Sequence, residues 1–312
     1  MNNSPIVSIL MPTYNHERYI SQAIESVLAQ KTNYPYELLI HDDCSADSTL
    51  TIAQDYATKY PDKIKLFTEK ENQGLIKSYK RLIEQSKGKY LAILESDDYW
   101  LDKNKLQIQI DFLENNPDYG IVAGDIITID DEGNEIKKGG FNIDKASTDF
   151  WYTKLLGLSG FESACAIIFR RGLFNTYCNI NDYIDLGFKT FDQPTWLSIS
   201  YHSKCKVIPR ILAAYRHTST SLSNNTLFEK HIDFILNIIE IEKYIIEKYG
   251  LNGITQDEYN NRISFIIMGK ALKFHKLKLF CEYAKKLKPI SIKQKFMHFF
   301  PHLYYWQFII RH

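Results

Sequence analysis

The sequence predicts an α/β fold: a mostly parallel, Rossmann-like sheet flanked by helices, followed by a helical C-terminal region. Three observations carry this expectation. Short β-branched, apolar runs alternate with longer amphipathic segments through the first third of the chain, the pattern of strands joined by crossover helices. Three of those runs end in polar or acidic residues, at the edge where open α/β sheets hold ligands. After about Asn225 the strand-like runs stop and a long helical period takes over, which divides the chain into a domain at 1–225 and a helical region at 226–312.

In order, Ile6–Met11 (IVSILM) reads as a buried first strand ended by Pro12. A helix follows Asn15, a cap candidate, with Ile20, Ala23, Ile24, Val27 and Leu28 on one face. Tyr36–Ile40 is the second strand and runs into His41, Asp42 and Asp43. Asp47 or Ser48 can cap the next helix, which Pro61 stops. Ile64–Phe67 is a third strand, Asn72-Gln73-Gly74 a turn, and Leu75–Ser86 a helix with Leu75, Tyr79, Leu82 and Ile83 inward. Tyr90–Leu94 is the fourth strand and Leu101–Asn116 a helix. Gly120–Asp130 and Ile136–Lys138 flank a hairpin turn at Asp131–Asn134. Ala164–Phe169 and Val207–Tyr215 are further strands, with a helix around Trp196 between them. Beyond Asn225, Phe228–Ile239 starts a long amphipathic helix, and Thr255–Glu258 has the capping-box spacing of another.

Composition excludes several classes. The chain has 312 residues, 45% hydrophobic and 24% charged, with a formal net charge of +1, which gives no basic footprint for nucleic acid. Five scattered cysteines without C-x-x-C spacing suggest a reducing compartment and no zinc site. The start lacks the pattern of a signal peptide and no apolar run suits a bilayer span, so a cytoplasmic location is expected. From Lys270 onward Glu282 is the only acid among many lysines, and the last stretch is crowded with aromatics. Either 290–312 rests on a membrane surface as an interfacial anchor, or its aromatics pack back on the protein while its lysines are solvated.

The stretch with most chemistry is Lys89–Trp100, KYLAILESDDYW, a buried strand that delivers Glu95, Ser96, Asp97 and Asp98 at its carboxyl end. Adjacent carboxylates repel unless a cation lies between them. A divalent ion held by one or two carboxylates and a substrate phosphate would satisfy them. The other reading is that they open the next helix, where acids suit the dipole. Parallel strands one, two and four would bring Tyr14, Asp43 and Asp97–Asp98 to one crevice, which favours a site.

MPTYNHERYISQAIESVLAQ, LLIHDDCSADST, NQGL and GKYLAILESDDYW, in this order, resemble the nucleotide-sugar-binding half of family 2 glycosyltransferases of the GT-A fold, in the branch that assembles bacterial surface polysaccharides such as capsule and O-antigen. The resemblance runs from Val7 to Leu113, continues weakly through Phe191–Leu197 and Tyr215–Ser223, and is silent after Asn225. It implies an inverting, metal-dependent hexosyltransferase using a nucleotide-diphosphate sugar, of UDP type, and a glycan or lipid-linked glycan acceptor. Asp43 would accept a hydrogen bond from the base, with Pro12 and Tyr14 lining its pocket. Asp97 would meet ribose or metal, and Asp98 would bind Mn²⁺ or Mg²⁺. Asp192 stands where the family has its catalytic base, although a plain helix cap is the other reading. Two departures stand out. Lys77 or Lys80 would replace an arginine that meets the nucleotide, without its bidentate fork. His217, a diphosphate or metal contact by analogy, falls one position early. The choice of sugar and acceptor would rest on Asp125, Glu162, Ser163 and nearby loops.

Two other activities share these features. A sugar nucleotidyltransferase would open with a glycine-rich phosphate loop, where this chain has Pro12-Thr13-Tyr14-Asn15. A nucleotide-sugar-binding module without transferase activity would keep the donor residues alone.

Overall fold

The computed structural model describes residues 4–139, 150–157, 164–218, 227–289 and 291–311. They pack as two compact units, one from residues 4–139, 150–151 and 164–218, the other from 152–157, 227–289 and 291–311.

In the first unit, β1 (Val7–Thr13), β2 (Tyr36–Asp42), β3 (Ile64–Thr68) and β4 (Tyr90–Ile93) lie parallel in the order β3-β2-β1-β4. They are connected through α1 (Ile20–Leu28), α2 (Thr49–Lys59) and α3 (Leu75–Gln85). The chain goes on through β5 (Tyr99–Trp100), α4 (Lys105–Asn115), β6 (Tyr119–Ile129) and β7 (Glu135–Lys138). After α5 (Tyr152–Leu155), which belongs to the second unit, come β8 (Ile167–Arg170), α6 (Arg171–Tyr177), α7 (Ile180–Asp185), α8 (Asp192–His202) and β9 (Lys204–Arg216). The sheet order is β3-β2-β1-β4-β8-β6-β9-β5, with β7 on β6. The expected α/β sheet is therefore parallel in its first half and mixed in its second, where β8 runs against both neighbours and β9 lies parallel to β6.

Alternation along β1 and β2 sends Val7, Ile9, Met11, Leu38 and Ile40 to one face, where Ile20, Ile24 and Val27 of α1 cover them. The opposite face carries Ser8 and Glu37, whose oxygens accept the Lys87 N–H at 3.1 and 2.9 Å. Gly88 is obligatory there, since a Cβ would stand 2.5 Å from the Ser8 nitrogen.

Three local expectations change, and one choice is resolved. Asn15 does not cap α1: it sits at φ 55°, its Oδ1 accepts the Ala46 N–H at 2.8 Å, and the helix begins only at Ile20. At the start of α2, Ser48 takes the N-cap position without a side-chain cap hydrogen bond, and Asp47 accepts the N–H groups of Thr49 (3.0 Å) and Glu17 (3.1 Å). The buried stripe of α3 is Ile76, Tyr79 and Leu82, with Leu75 and Ile83 only partly covered. The helix expected from Leu101 starts at Lys105, because Tyr99 and Trp100 pair with Ala214 and Ala213 and hold the chain extended.

In the second unit α9 (Phe228–Tyr249) precedes α10 (Gln256–Lys273), whose Thr255/Glu258 capping box forms as its spacing predicts. Then come α11 (Leu277–Lys286), α12 (Ile292–Phe299) and α13 (Pro301–Arg311). Phe280, Ala284, Leu287, Met297 and Tyr305 form part of its core. The terminal aromatics divide: Tyr305 is buried, whereas Phe299 and Trp306 are exposed. Among the described residues no helix is long and apolar enough to cross a membrane.

One core residue violates the apolar rule. Lys105 is fully buried under the Trp100 ring, 4.3 Å from its centroid, and its Nζ has no hydrogen-bond partner among the described residues. Burial pushes its pKa down to about 7. Above that pH the folded chain binds fewer protons than the unfolded one, so stability rises with pH from about 7 to 10.5 and is lost as pH falls through 7. Lys105→Met should stabilise the protein at neutral pH by about 1–3 kcal/mol and flatten that rise. Thermal unfolding across the alkaline range checks it; an unaltered slope would show that Lys105 is not its source.

Candidate active site

Parallel pairing of β1, β2 and β4 places their carboxyl ends on one edge, and the candidate residues gather there. One carboxylate oxygen from each of Glu95, Asp97 and Asp98 lies within 4.8 Å of the others. The loop carrying them is tied back at several points. The Asp98 N–H closes a turn onto the Glu95 carbonyl at 3.0 Å. The Ser96 hydroxyl donates to Thr13 Oγ1 at 2.7 Å and meets His16 Nδ1 at 2.7 Å, which joins the ends of β1 and β4.

Arg216, the last residue of β9, closes the far side. Its N–H donates to Asp98 Oδ1 at 2.8 Å, and its Nε to the Asp97 carbonyl at 2.9 Å. Nη1 reaches the carbonyls of Asp130 and Asp131, both at 3.0 Å, and Nη2 reaches Gln22 Oε1 at 2.9 Å. The guanidinium lies over Tyr19, 4.6 Å from its centroid, and Tyr19 Oη donates to Asp131.

Asp192 is the first residue of α8, one position past the N-cap residue Phe191. Its carboxylate accepts the Gln193 N–H at 2.7 Å and the Thr190 hydroxyl, and it lies close enough to raise the pKa values of Glu95 and Tyr79. Phe191 beside it stacks on Tyr79 at 4.3 Å, and Tyr79 Oη donates to Glu95 Oε1 at 3.0 Å. Burial, then the Asp97 and Asp192 charges, push Glu95 up to about 8. Burial and the Asp97 charge also raise Asp98 well above the carboxylate range, and burial raises Asp192. Three carboxylates this close together, two of them with pKa values raised by burial and the Asp97 charge, suit a hard divalent cation as an all-oxygen donor set. The residues present fit Mn²⁺ or Mg²⁺.

The donor-side residues are distributed unevenly. Asp43 follows β2, its N–H bonded to the Thr13 carbonyl at 3.0 Å. Its carboxylate accepts the N–H groups of Gln73 (2.8 Å) and Gly74 (2.7 Å), so it fixes the turn that starts α3, where Gly74 adopts φ 88°. Tyr14 is exposed at the same edge, and Pro12 is buried in β1, in register with His41. Lys77 and Lys80 are directed elsewhere: Lys77 Nζ donates to Gln73 and Lys80 Nζ to Asn181. Both line a groove of about 370 Å³ with His41, Glu69 and Arg81, which Asp43, Asp97 and Asp98 do not line. His217 is exposed, and its N–H is spent on the Ile129 carbonyl at 2.8 Å. Asp125 Oδ1 accepts the Ile126 N–H. Glu162, Ser163 and residues 219–223 lie outside the described residues.

Sequence reasoning gave no role to Glu95, Tyr79, His16 or Arg216. Glu95 stood in plain view two residues before Asp97. Arg216 carried only a weak signal, an arginine ending a buried strand.

A sheet with an acidic cluster at its carboxyl edge is an α/β scaffold suited to a divalent cation and a phosphorylated ligand. Residues 8–178 match Glycosyl transferase family 2, and the chain belongs to that family. It is 31% identical over 231 residues to the UDP-Glc:alpha-D-GlcNAc-diphosphoundecaprenol beta-1,3-glucosyltransferase WfgD of Escherichia coli, covering 72% of this chain and 82% of that protein. It is 38% identical over 133 residues to the putative glycosyltransferase EpsE of Bacillus subtilis, covering 43% of this chain but only 47% of EpsE. The chain thus spans less than half the length of several curated relatives it matches. Among solved structures, S. aureus TarS 1–349 in complex with UDP-GlcNAc superposes with a TM-score of 0.59 at 16% identity, over 90% of this chain and 81% of that one. That likeness establishes the GT-A fold.

Because Glu95 binds its proton more tightly folded than unfolded, its contribution is present below about pH 4.5 and is lost as pH rises through about 8. In chelator, thermal stability should therefore fall from pH 5 to 8, and Glu95→Gln should shrink that fall. Melting curves of both proteins check this, and parallel curves would remove Glu95 as its source.

Proposed function

We propose that this protein transfers a hexose from a UDP-sugar to a hydroxyl of a lipid-linked glycan, with inversion at the anomeric carbon, in the assembly of a surface polysaccharide. The observation that carries the reading is the cluster of Glu95, Asp97 and Asp98 with Asp192 within electrostatic reach. The donor and lipid-linked acceptor named for WfgD, and the UDP-GlcNAc bound by TarS, support its substrate classes.

Each residue then has a task. Asp43 keeps one lone pair on each oxygen after binding the Gln73–Gly74 turn and can accept the N–H of a pyrimidine base beside Tyr14 and Pro12. Asp98 and Asp97, with Glu95 behind them, would hold Mn²⁺ or Mg²⁺. When bound, such an ion would supply positive charge to offset the negative charge of the departing diphosphate. Asp192 takes the proton from the acceptor hydroxyl, whose oxygen attacks the anomeric carbon opposite the departing nucleotide. Its raised pKa makes it a stronger base than a solvated aspartate. Thr190 and Gln193 hold its carboxylate in place. Residues 291–311 keep the protein at the membrane face where such an acceptor resides.

Asp192→Asn should retain metal-dependent UDP-sugar binding and lose transfer by roughly 10²–10⁴-fold; undiminished transfer would exclude it as the base. Asp98→Ala should abolish the added thermal stabilisation that Mn²⁺ gives with UDP-sugar. If that stabilisation persists, the metal assignment fails.

A further inference from the structure

The second unit contains a groove of about 780 Å³ bordered by α9, α10, α11 and α12. Ile239, Ile246, Ile263 and Pro289 give it apolar walls, and Lys243, Lys285, Lys286 and Lys288 surround them, with Glu247 the acid among its lining. The cationic side is held by the fold. Leu287 is 1% exposed, anchored in the core between Lys286 and Lys288. Asn261 pins the Lys288 backbone twice: its Nδ2 donates to the Lys288 carbonyl and its Oδ1 accepts the Lys288 N–H, both at 2.8 Å. Lys243 pairs with Glu240 and Lys286 with Glu282, but both pairs are solvent-exposed and leave the lysines available to a stronger anion.

The groove also adjoins an apolar surface. Phe299 lines it and is 66% exposed, and Phe300, Leu303 and Trp306 follow at 53%, 61% and 53%. Leu303 and Trp306 stand three residues apart on α13, on one side of the helix. From residue 270 onward, nine lysines and Arg311 face a single acid, Glu282. Lysines around an apolar-walled groove, beside exposed aromatics, complement an amphiphile with a phosphate head better than a soluble anion.

We propose that this groove seats the phosphate headgroup of an anionic phospholipid, phosphatidylglycerol in type, while the bilayer receives Phe299, Phe300, Leu303 and Trp306. The proposal rests on the membrane-surface part of the function above and is independent of the sugar chemistry. It makes α9–α12 a lipid-reading site in addition to an anchor.

The test is vesicle co-sedimentation of the full chain, with phosphatidylcholine alone or mixed with phosphatidylglycerol. Binding should require phosphatidylglycerol and weaken with salt. The triple variant Lys243→Gln, Lys285→Gln, Lys288→Gln should partition roughly a hundredfold less well, the effect of removing three lysines from an anionic surface. Its thermal shift with UDP and Mn²⁺ should remain that of the parent, which shows that it is folded. Equal binding to both vesicle types, or undiminished partitioning of the triple variant, overturns the headgroup site and leaves membrane contact standing. Absence of binding to any vesicle overturns both. Binding of soluble glycerol phosphate as tight as that of the vesicles would also overturn the proposal, because the ligand is then a free anion.

Discussion

Three carboxylates within 4.8 Å of one another set the conditions for the first unit. Such a cluster is unstable by itself, and burial raises the cost of charging Glu95 and Asp98. Among the described residues the surrounding groups relieve it by hydrogen bonds. Tyr79 donates a hydroxyl to Glu95, and Arg216 gives Asp98 a backbone N–H rather than its guanidinium. The guanidinium is spent on carbonyls and Gln22, which locks the loop that carries the acids. Carboxylates held this close by backbone and neutral hydroxyl groups are arranged as a preorganised set of oxygen donors.

In the parallel half of the sheet β1, β2 and β4 were legible because they are buried on both faces and read as largely apolar runs. IVSILM and YELLI left little choice. Tyr99–Trp100 was not legible: two residues have no period, and only the distant Ala213–Ala214 partner makes them a strand. The same limit applies to α5, α6 and α7, which are too short to show a helical repeat. Asn15 illustrates a different failure, since cap propensity cannot tell which of several adjacent polar residues meets a free N–H group.

The site was legible in part for a related reason. Asp97, Asp98 and Asp43 are announced by the strands that precede them, so edge position follows from topology. Lys77 and Lys80 follow no such rule. Helical phase decides where they are directed, and here it turns them to Gln73 and Asn181. Arg216 escapes sequence reasoning because its partners, from Gln22 to Asp131, lie far apart along the chain. In the second unit, composition showed a basic, aromatic end but not its division into Tyr305 within the core and Trp306 outside it.

Helix α3 joins two parts of the site that have no bond to each other. Its first turn hangs on the Asp43 carboxylate, and five residues after Gly74, about 7.5 Å along the axis, Tyr79 touches Glu95 and Phe191. A hydrogen-bonded helix moves as a rod over so short a length. Whatever occupies Asp43 therefore pulls on the same lever that touches the acidic cluster and the start of α8. Asp43 and the acidic cluster are thus in mechanical register through one turn and a half of backbone.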